Sequence, residues 1–190
     1  MLRNRAIAVV LSVAFASTSA LAQDAVRSRG AAYSITDTTA HQRPTDLSLL
    51  LHLPFYGFGF GIGTQARFEI PVLHEGFIPS LNDSISVEPS FGIAYNSSGF
   101  DAFDYNIITF SPAAYGLWSF WFSEKFRAYG GLGIGAAIGV VSGDNFGPSD
   151  SFSGLYLDPV VGLFYNVAPG FALRAEMGAE GAKGGISFMF

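Results

Sequence analysis

Ser48 and His52 are the first side chains to test for catalytic chemistry, because a serine hydroxyl becomes a nucleophile when an imidazole accepts its proton. They fall on one face of an alternating segment, where four strand positions place them about 13 Å apart. This distance is too long for a shared hydrogen bond, and the chain has no G-x-S-x-G turn. The other histidines, His41 and His74, are scattered, and cysteine is absent. We therefore expect no catalytic residues, no metal site and no cofactor.

The first residues have the pattern of a secretory signal peptide. Arg3 and Arg5 precede an apolar run, and small residues then end in Ala20-Leu21-Ala22. An uncleaved anchor is the less favoured alternative, since the apolar run is shorter than the ~20 residues that a spanning helix needs. We predict a signal peptide at residues 1–22 and a mature chain that begins at Gln23.

Charge and composition exclude several classes of protein. The chain has 10 Lys and Arg, and loss of Arg3 and Arg5 leaves 8 against 15 Asp and Glu, a formal net charge of −7. This balance argues against nucleic acid as a partner. No disulfide can form without cysteine. The chain is 49% hydrophobic and 13% charged, yet after the signal peptide no apolar stretch is long enough for a membrane-spanning helix.

The apolar residues alternate with polar or small residues instead. Residues at every second position of a strand share one face, so this pattern predicts strands with one apolar face and one free face. A closed barrel in lipid needs that arrangement, because all backbone groups pair between strands and only the outside must be apolar. We predict an all-β, closed, antiparallel up-and-down transmembrane barrel of eight strands, at residues 46–53, 60–72, 84–95, 105–122, 131–140, 155–165, 171–177 and 183–190.

Two glycine runs keep a strict period of two, at residues 57–63 and 131–139. A dinucleotide-binding loop needs G-x-G-x-x-G at the start of a helix, and neither run opens one. We interpret the glycines as the inner wall of a narrow barrel, where they leave room for large side chains from the opposite wall.

Charged residues in the predicted strands have apolar neighbours on the other face. A charge at the lipid midplane would cost about 2 to 4 kcal/mol for Arg or Lys, so these side chains should point into the lumen. We predict that they form a hydrogen-bonded plug in the periplasmic half, with Arg67 opposite or diagonal to Glu88. The members of this luminal charge network are Arg67, Glu69, Glu88, Arg127, Asp158, Arg174 and Glu176.

Aromatic residues crowd around the predicted turn at residues 123–125. If this turn is periplasmic, the rings lie at the height of the lipid headgroups, where aromatic girdles form. We favour such a belt over a ligand-binding platform. Its members are Trp118, Phe120, Trp121, Phe122 and Phe126.

The end of the chain resembles the insertion signal of bacterial outer-membrane β-barrel proteins. Lys183 is followed two residues later by Gly185, and Phe188 and Phe190 occupy the third-last and last positions. Over residues 46–190 the length and strand pattern are similar to the small eight-stranded members, such as the OmpA transmembrane domain. The connection at 73–83 is unusually long for a periplasmic turn in this family, so one strand could be misplaced there.

The resemblance implies a place in the outer membrane of a Gram-negative bacterium, with outer-membrane lipid and the barrel-insertion machinery as partners. The expected order is a signal peptide (1–22), a flexible periplasmic leader (23–45) that could also enter the lumen, and the barrel (46–190). We expect a non-enzymatic barrel, as a monomer, with a structural, adhesive or narrow-passage role. The alternatives are a lipid-modifying outer-membrane enzyme and a soluble periplasmic lipid-binding barrel.

Overall fold

The computed structural model describes residues 34–39, 41–55, 60–100, 103–143 and 151–190. The predicted signal peptide and the start at Gln23 lie outside them. Among the described residues, no helix is long and apolar enough to cross a bilayer. The strands are β1 (Asp46–Pro54), β2 (Phe60–Leu73), β3 (Asp83–Phe100), β4 (Phe103–Trp121), β5 (Phe126–Gly143), β6 (Ser151–Ala168), β7 (Phe171–Gly178) and β8 (Gly181–Met189).

The eight strands form one closed antiparallel barrel in which each strand pairs with its neighbours in sequence. The first strand closes the barrel, because Ser48 pairs with Arg67 on β2 and with Ser187 on β8. The predicted strand number, direction and closure are therefore confirmed. Both ends of the described chain lie at one end of the barrel, where the backbone N–H of Phe190 donates to the carbonyl of Thr45 at 2.8 Å.

Burial alternates along the strands as the period-two pattern predicts. On β1, Leu49 and Leu51 are 48% and 49% exposed, whereas Leu50 between them is 2% exposed. The outer wall carries the apolar side chains, and the interior carries most of the buried charged groups. A soluble lipid carrier would have the opposite arrangement, with its apolar faces turned inward.

The strands differ in length around the barrel. β3 to β6 have 18 or 19 residues, whereas β7, β8 and β1 have 8 or 9. A strand needs about 9 to 11 residues to cross a bilayer, so β3 to β6 extend well beyond it. All of this extra length lies at the end opposite the termini, since Val160 on β6 already pairs with Gly178 at the tip of β7.

Residues 96–104 and 142–152 lie between the predicted strands, but the structure extends β3, β4, β5 and β6 into them. β3 and β4 remain paired from Ser97 with Asn106 up to Phe100 with Phe103, and β6 begins at Ser151. Apolar alternation stops in these segments because they no longer face lipid, so the sequence signal for a strand is lost. Pairing between neighbouring backbones continues without it.

The long connection between β2 and β3 is real, and no strand is misplaced there. Asp83 accepts hydrogen bonds from the backbone N–H of Phe77 at 3.0 Å and from the Trp118 indole at 2.7 Å. The connection also receives part of the predicted flexible leader: the N–H of Asn82 donates to the carbonyl of Ile35 at 2.8 Å. Over its described residues the leader therefore contacts the β2–β3 connection.

Arg43 fixes the end of this leader segment. Its Nη2 donates to Asn82 Oδ1 at 2.5 Å, its Nε donates to the carbonyl of His74 at 3.1 Å, and its guanidinium lies 4.6 Å from the Trp121 ring centroid. Asp37 accepts hydrogen bonds from the side chain and backbone of Thr39, and these bonds lower the pKa of Asp37 to about 2. The leader thus lies across the terminal end of the barrel.

Inward glycines admit large side chains from neighbouring strands. A Cβ at Gly133 would overlap the Tyr115 ring of β4, and one at Gly162 would overlap the Tyr129 ring of β5. The predicted purpose of these glycines holds, but the rings come from the adjacent strand rather than the opposite wall. Gly57 and Gly59 lie outside the described residues.

Candidate functional site in the barrel lumen

The structure places all seven residues of the predicted luminal charge network inside the barrel. Each is at most 5% exposed, and their strands surround the lumen from β2 to β7. The network has three connected parts: a central ring, a terminal cluster and a distal cluster. We define each by its residues below, and the terminal end is the one that carries both chain ends.

The central ring consists of two arginines and two glutamates from three strands, β2, β3 and β7. Arg67 Nη1 lies 3.2 Å from Glu88 Oε2, so the predicted contact is present, and Arg67 Nη2 lies 2.6 Å from Glu176 Oε1. Arg174 completes the ring with Nη2 at 3.0 Å from Glu88 Oε2 and 3.1 Å from Glu176 Oε2. Arg67 pairs across the strands with Ser90, which makes Glu88 its diagonal neighbour. The ring therefore joins β2 and β3 to β7 through side chains inside the barrel.

The terminal cluster is built on Arg127. Its Nη1 donates to Glu69 Oε1 at 2.8 Å, and its Nη2 donates to Asp46 Oδ2 at 3.0 Å. Ser86 adds a hydroxyl bond to Glu69 at 2.8 Å. Ser48 joins this cluster to the ring, because its hydroxyl lies 3.3 Å from Asp46 Oδ1 and accepts from Arg174 Nη1 at 3.0 Å.

The distal cluster surrounds Lys183. Its ammonium lies 3.1 Å from Asp158 Oδ2, 3.1 Å from Glu180 Oε2 and 3.4 Å from Glu176 Oε1. The Tyr115 hydroxyl donates to Asp158 at 2.9 Å. Asp158 therefore lies on the distal side of the ring, so the charged network extends past the ring, away from the chain termini. β7 and β8 are so short that their connecting turn places Glu180 in the distal cluster.

Sequence reasoning missed Asp46, Glu180, Lys183 and Tyr129, among other members of the network. Asp46 and Glu180 stand at strand ends, where alternation gives little guidance, and Lys183 was assigned to the insertion signal. Its alternation with Gly184 and Ile186 was a usable signal for an inward side chain. Tyr129, the fourth, donates to Glu176 Oε2 at 2.7 Å and accepts from Arg174 Nε at 2.8 Å.

Aromatic rings cover the faces of the guanidinium groups. Arg67 Cζ lies 3.8 Å from the Tyr115 centroid, and Arg127 Cζ lies 3.7 Å from the Phe164 centroid. A guanidinium offers hydrogen bonds only at its edge, so a ring can stack on its face without displacing a carboxylate. Carboxylates and rings together surround these buried cations.

The carboxylates of Asp46, Glu69 and Glu88 approach one another closely enough to hold a metal ion, with one oxygen of each within 4.8 Å of the others. Arginine groups already bind all three: Arg127 binds Asp46 and Glu69, and Arg174 binds Glu88. The carboxylate oxygens that a metal would need are therefore already paired with arginines of the chain. We assign no metal to it.

Four of the five predicted belt residues lie on the outer face near the terminal end: Trp118, Phe120, Phe122 and Phe126. Trp121 does not. It is 6% exposed, its indole donates to Ser84 at 3.0 Å, and Arg127 lies 4.8 Å from its ring centroid. Trp121 lies at an alternate position on the same inward face as Leu117 and Ser119, so its assignment to the belt is wrong.

The residues of the predicted insertion signal lie on and just after β8. Phe188 faces outward and contacts Phe171 with ring centroids 5.7 Å apart, and Phe190 is half-buried directly after the strand. A Cβ at Gly185 would overlap the backbone carbonyl of Leu49, so the closing seam requires glycine there. Lys183 points inward, into the distal cluster.

The two residues first tested for catalysis lie apart. Ser48 contacts Ser187 at 2.6 Å, and His52 Nε2 lies 3.2 Å from the carbonyl of Glu180. The imidazole of His52 therefore does not accept a hydrogen bond from the Ser48 hydroxyl and cannot activate it as a nucleophile. Both serve instead as hydrogen-bonding members of the lumen.

Comparison with known proteins gives a family match. The model of the outer membrane protein beta-barrel domain matches residues 8–182. No curated protein matches the chain in sequence. Among solved structures, the crystal structure of Ail, the attachment invasion locus protein of Yersinia pestis, has 20% identity and a TM-score of 0.45, covering 78% of this chain and 100% of that one. The outer membrane enzyme PagL has 14% identity and a TM-score of 0.41, covering 76% and 96%.

Proposed function

This chain belongs to the family of outer-membrane β-barrel domains, and from that premise we propose that it is a closed, non-conducting barrel that acts through its extracellular surface. The termini of such barrels face the periplasm, so β3 to β6 extend outside the cell. We propose an adhesive or structural role for this surface, rather than passage of solutes through the lumen.

The central ring is the observation that supports this proposal. Its four side chains come from β2, β3 and β7, and Arg67, Glu88, Arg174 and Glu176 are all fully buried as side chains. Solvated charges would line an open pore, whereas these ions are paired with one another. Moving them apart would expose unpaired charges in a narrow lumen, which is strongly unfavourable.

The unequal strands support a role for the outer surface. At about 3.3 Å per residue and a tilt of about 40°, eight residues beyond the membrane reach about 20 Å from it. β7, β8 and β1 end near the membrane surface by the same reasoning. The extracellular end is therefore a one-sided wall, and a partner could approach it from the low side.

Lipid-modifying catalysis has less support in the described residues. Thr39 Oγ1 lies 3.0 Å from His41 Nε2, but Asp37 binds the same nitrogen at 3.0 Å. A catalytic imidazole needs an acid on one nitrogen and the nucleophile on the other. This group also lies at the periplasmic end, in the leader.

Planar-bilayer recording tests the closed barrel. Purified wild-type protein should show no steady conductance, whereas Arg67→Ala/Glu176→Ala, which removes one cation and one anion of the ring, should conduct intermittently. The paired change keeps the net charge of the lumen. A large steady conductance of the wild-type barrel would refute the proposal.

Shortening the extracellular wall tests the adhesive role. Ser97 and Asn106 are paired across β3 and β4, so an Asn-Gly turn can join them directly. Cells that display this variant should adhere less to host-cell layers than cells with equal amounts of the wild-type barrel. Equal adherence of both strains, above that of cells without the protein, would contradict a role for this part of the wall.

A further inference from the structure

A continuous groove runs along the outer wall over β1, β2 and β3. It consists of two cavities of about 450 and 370 Å³, which share Leu51, Thr64 and Ile93 in their lining. The upper cavity reaches Tyr95 and Ile108, near the extracellular end of the apolar wall. The groove therefore runs along β2, between β1 and β3, toward the extracellular end.

Small side chains on β2 make the floor of the groove. Ala66 pairs with Leu49 on one side and Phe91 on the other, and Thr64 pairs in the same way with Leu51 and Ile93. All six side chains point outward. Since the floor residues are shorter than both of their neighbours, the two flanking strands form raised walls.

We propose that this groove is a binding site for one acyl chain of an outer-leaflet lipid. Its lining carries no charged side chain, so a headgroup has no partner inside it. At the upper end the Tyr95 hydroxyl donates to Asn106 Oδ1 at 2.5 Å, a polar pair at the level where headgroups begin. A chain can enter there and extend toward Leu49.

The size of the groove suits a single chain. Its floor is one strand wide, and neighbouring strands lie about 4.8 Å apart, so the walls on β1 and β3 are about 10 Å apart and leave room for one chain. Exclusion from water does not favour binding here, because lipid tails are as apolar as the wall. Binding rests on the extra van der Waals contacts that a preformed groove offers over a convex surface.

Photo-crosslinking tests the site directly. The protein is reconstituted in dimyristoyl-phosphatidylcholine vesicles that contain a small fraction of phosphatidylcholine with a diazirine in one acyl chain, and adducts are mapped by mass spectrometry. Peptides that contain Thr64, Ala66 or Ile93 should be labelled about fivefold more than other outward apolar segments. Uniform labelling around the wall would overturn the proposal.

A matched pair of substitutions tests the groove itself. Ala66→Leu fills the floor and should reduce labelling of these peptides to the average of the wall, whereas Ala175→Leu, on the outer face of β7, should leave it unchanged. Heat-modifiable mobility on gels shows that both variants are folded. Unchanged labelling in Ala66→Leu, or protection of the groove by a crosslinked second barrel, would contradict the assignment to lipid.

Discussion

Replacing Arg67 by methionine removes the cation that links two glutamates of the central ring. Arg67 donates to Glu176 at 2.8 and 2.6 Å, to Glu88 at 3.2 Å and to Gln65 at 2.9 Å. Methionine keeps much of the side-chain volume, so the loss is mainly electrostatic. Removal of one partner of a buried ion pair costs about 3 to 5 kcal/mol, and we expect the variant to lose this much free energy of unfolding.

The second glutamate partner shows whether the loss is due to unpaired charge. Glu176→Gln in the Arg67→Met background removes an anion that has lost a cation. The double variant should therefore be more stable than the sum of the two single effects predicts, by about 0.5 to 3 kcal/mol. Lys125→Met is the control, since Lys125 is exposed in the turn after β4 and should change stability by less than about 0.5 kcal/mol.

Urea titration of the barrel in lipid vesicles measures these differences, with folded and unfolded fractions separated by gel mobility. Planar-bilayer recordings of the same variants report whether the lumen opens. If Arg67→Met loses no more stability than Lys125→Met, the ring does not hold the barrel together. Strictly additive effects of the two ring substitutions would also refute the reasoning.

Three further predictions concern other parts of the molecule. Gly133→Ala should lower the free energy of unfolding by about 1 to 3 kcal/mol in the same urea titration, because the new Cβ overlaps the Tyr115 ring, whereas Gly154→Ala, with no atom within 4 Å of its Cβ, should be nearly neutral. Deletion of Phe190 should reduce the amount of heat-modifiable barrel at native expression levels; unchanged assembly would contradict the insertion signal. Asp37 should stabilise its turn with Thr39 fully above about pH 4, and this contribution should be lost as the pH falls through the lowered pKa of about 2. Amide protection factors of the leader residues, which correct for the intrinsic pH dependence of exchange, should fall only in this range; a loss of protection already near pH 5 would contradict the prediction.

The inward and outward faces were predictable because lipid allows few exceptions. A charge such as Arg67 or Glu176 cannot face the acyl chains at low energy, so its side chain must point inward. Because side chains alternate along a strand, this one residue fixes which residues of the whole strand face inward and which face outward. The same rule shows why Trp121 was misassigned. An aromatic ring is acceptable on either face of the strand, so only the position of Trp121 relative to the inward residues Leu117 and Ser119 shows which face it occupies.

The partners within the lumen were less predictable, since they depend on register and on strand length. The contact between Arg67 and Glu88 joins neighbouring strands and followed from one hairpin. The contact between Arg67 and Glu176 joins strands that are 109 residues apart in the chain, and it depends on the curvature of the closed barrel. The leader posed the same problem: nothing local in the sequence around Ile35 predicts its bond to Asn82.

The composition of the luminal network explains how a lumen with more acids than bases can hold its charges buried. Arginine supplies three of its four cations, and each guanidinium bonds at its edge to carboxylates while a ring covers its face. An ammonium binds as a point charge and has no such face, which is consistent with the place of Lys183 at the distal margin, among three carboxylates. Inward glycines supply the space for the rings, so the glycine runs and the charges serve one purpose: a narrow barrel filled by its own side chains.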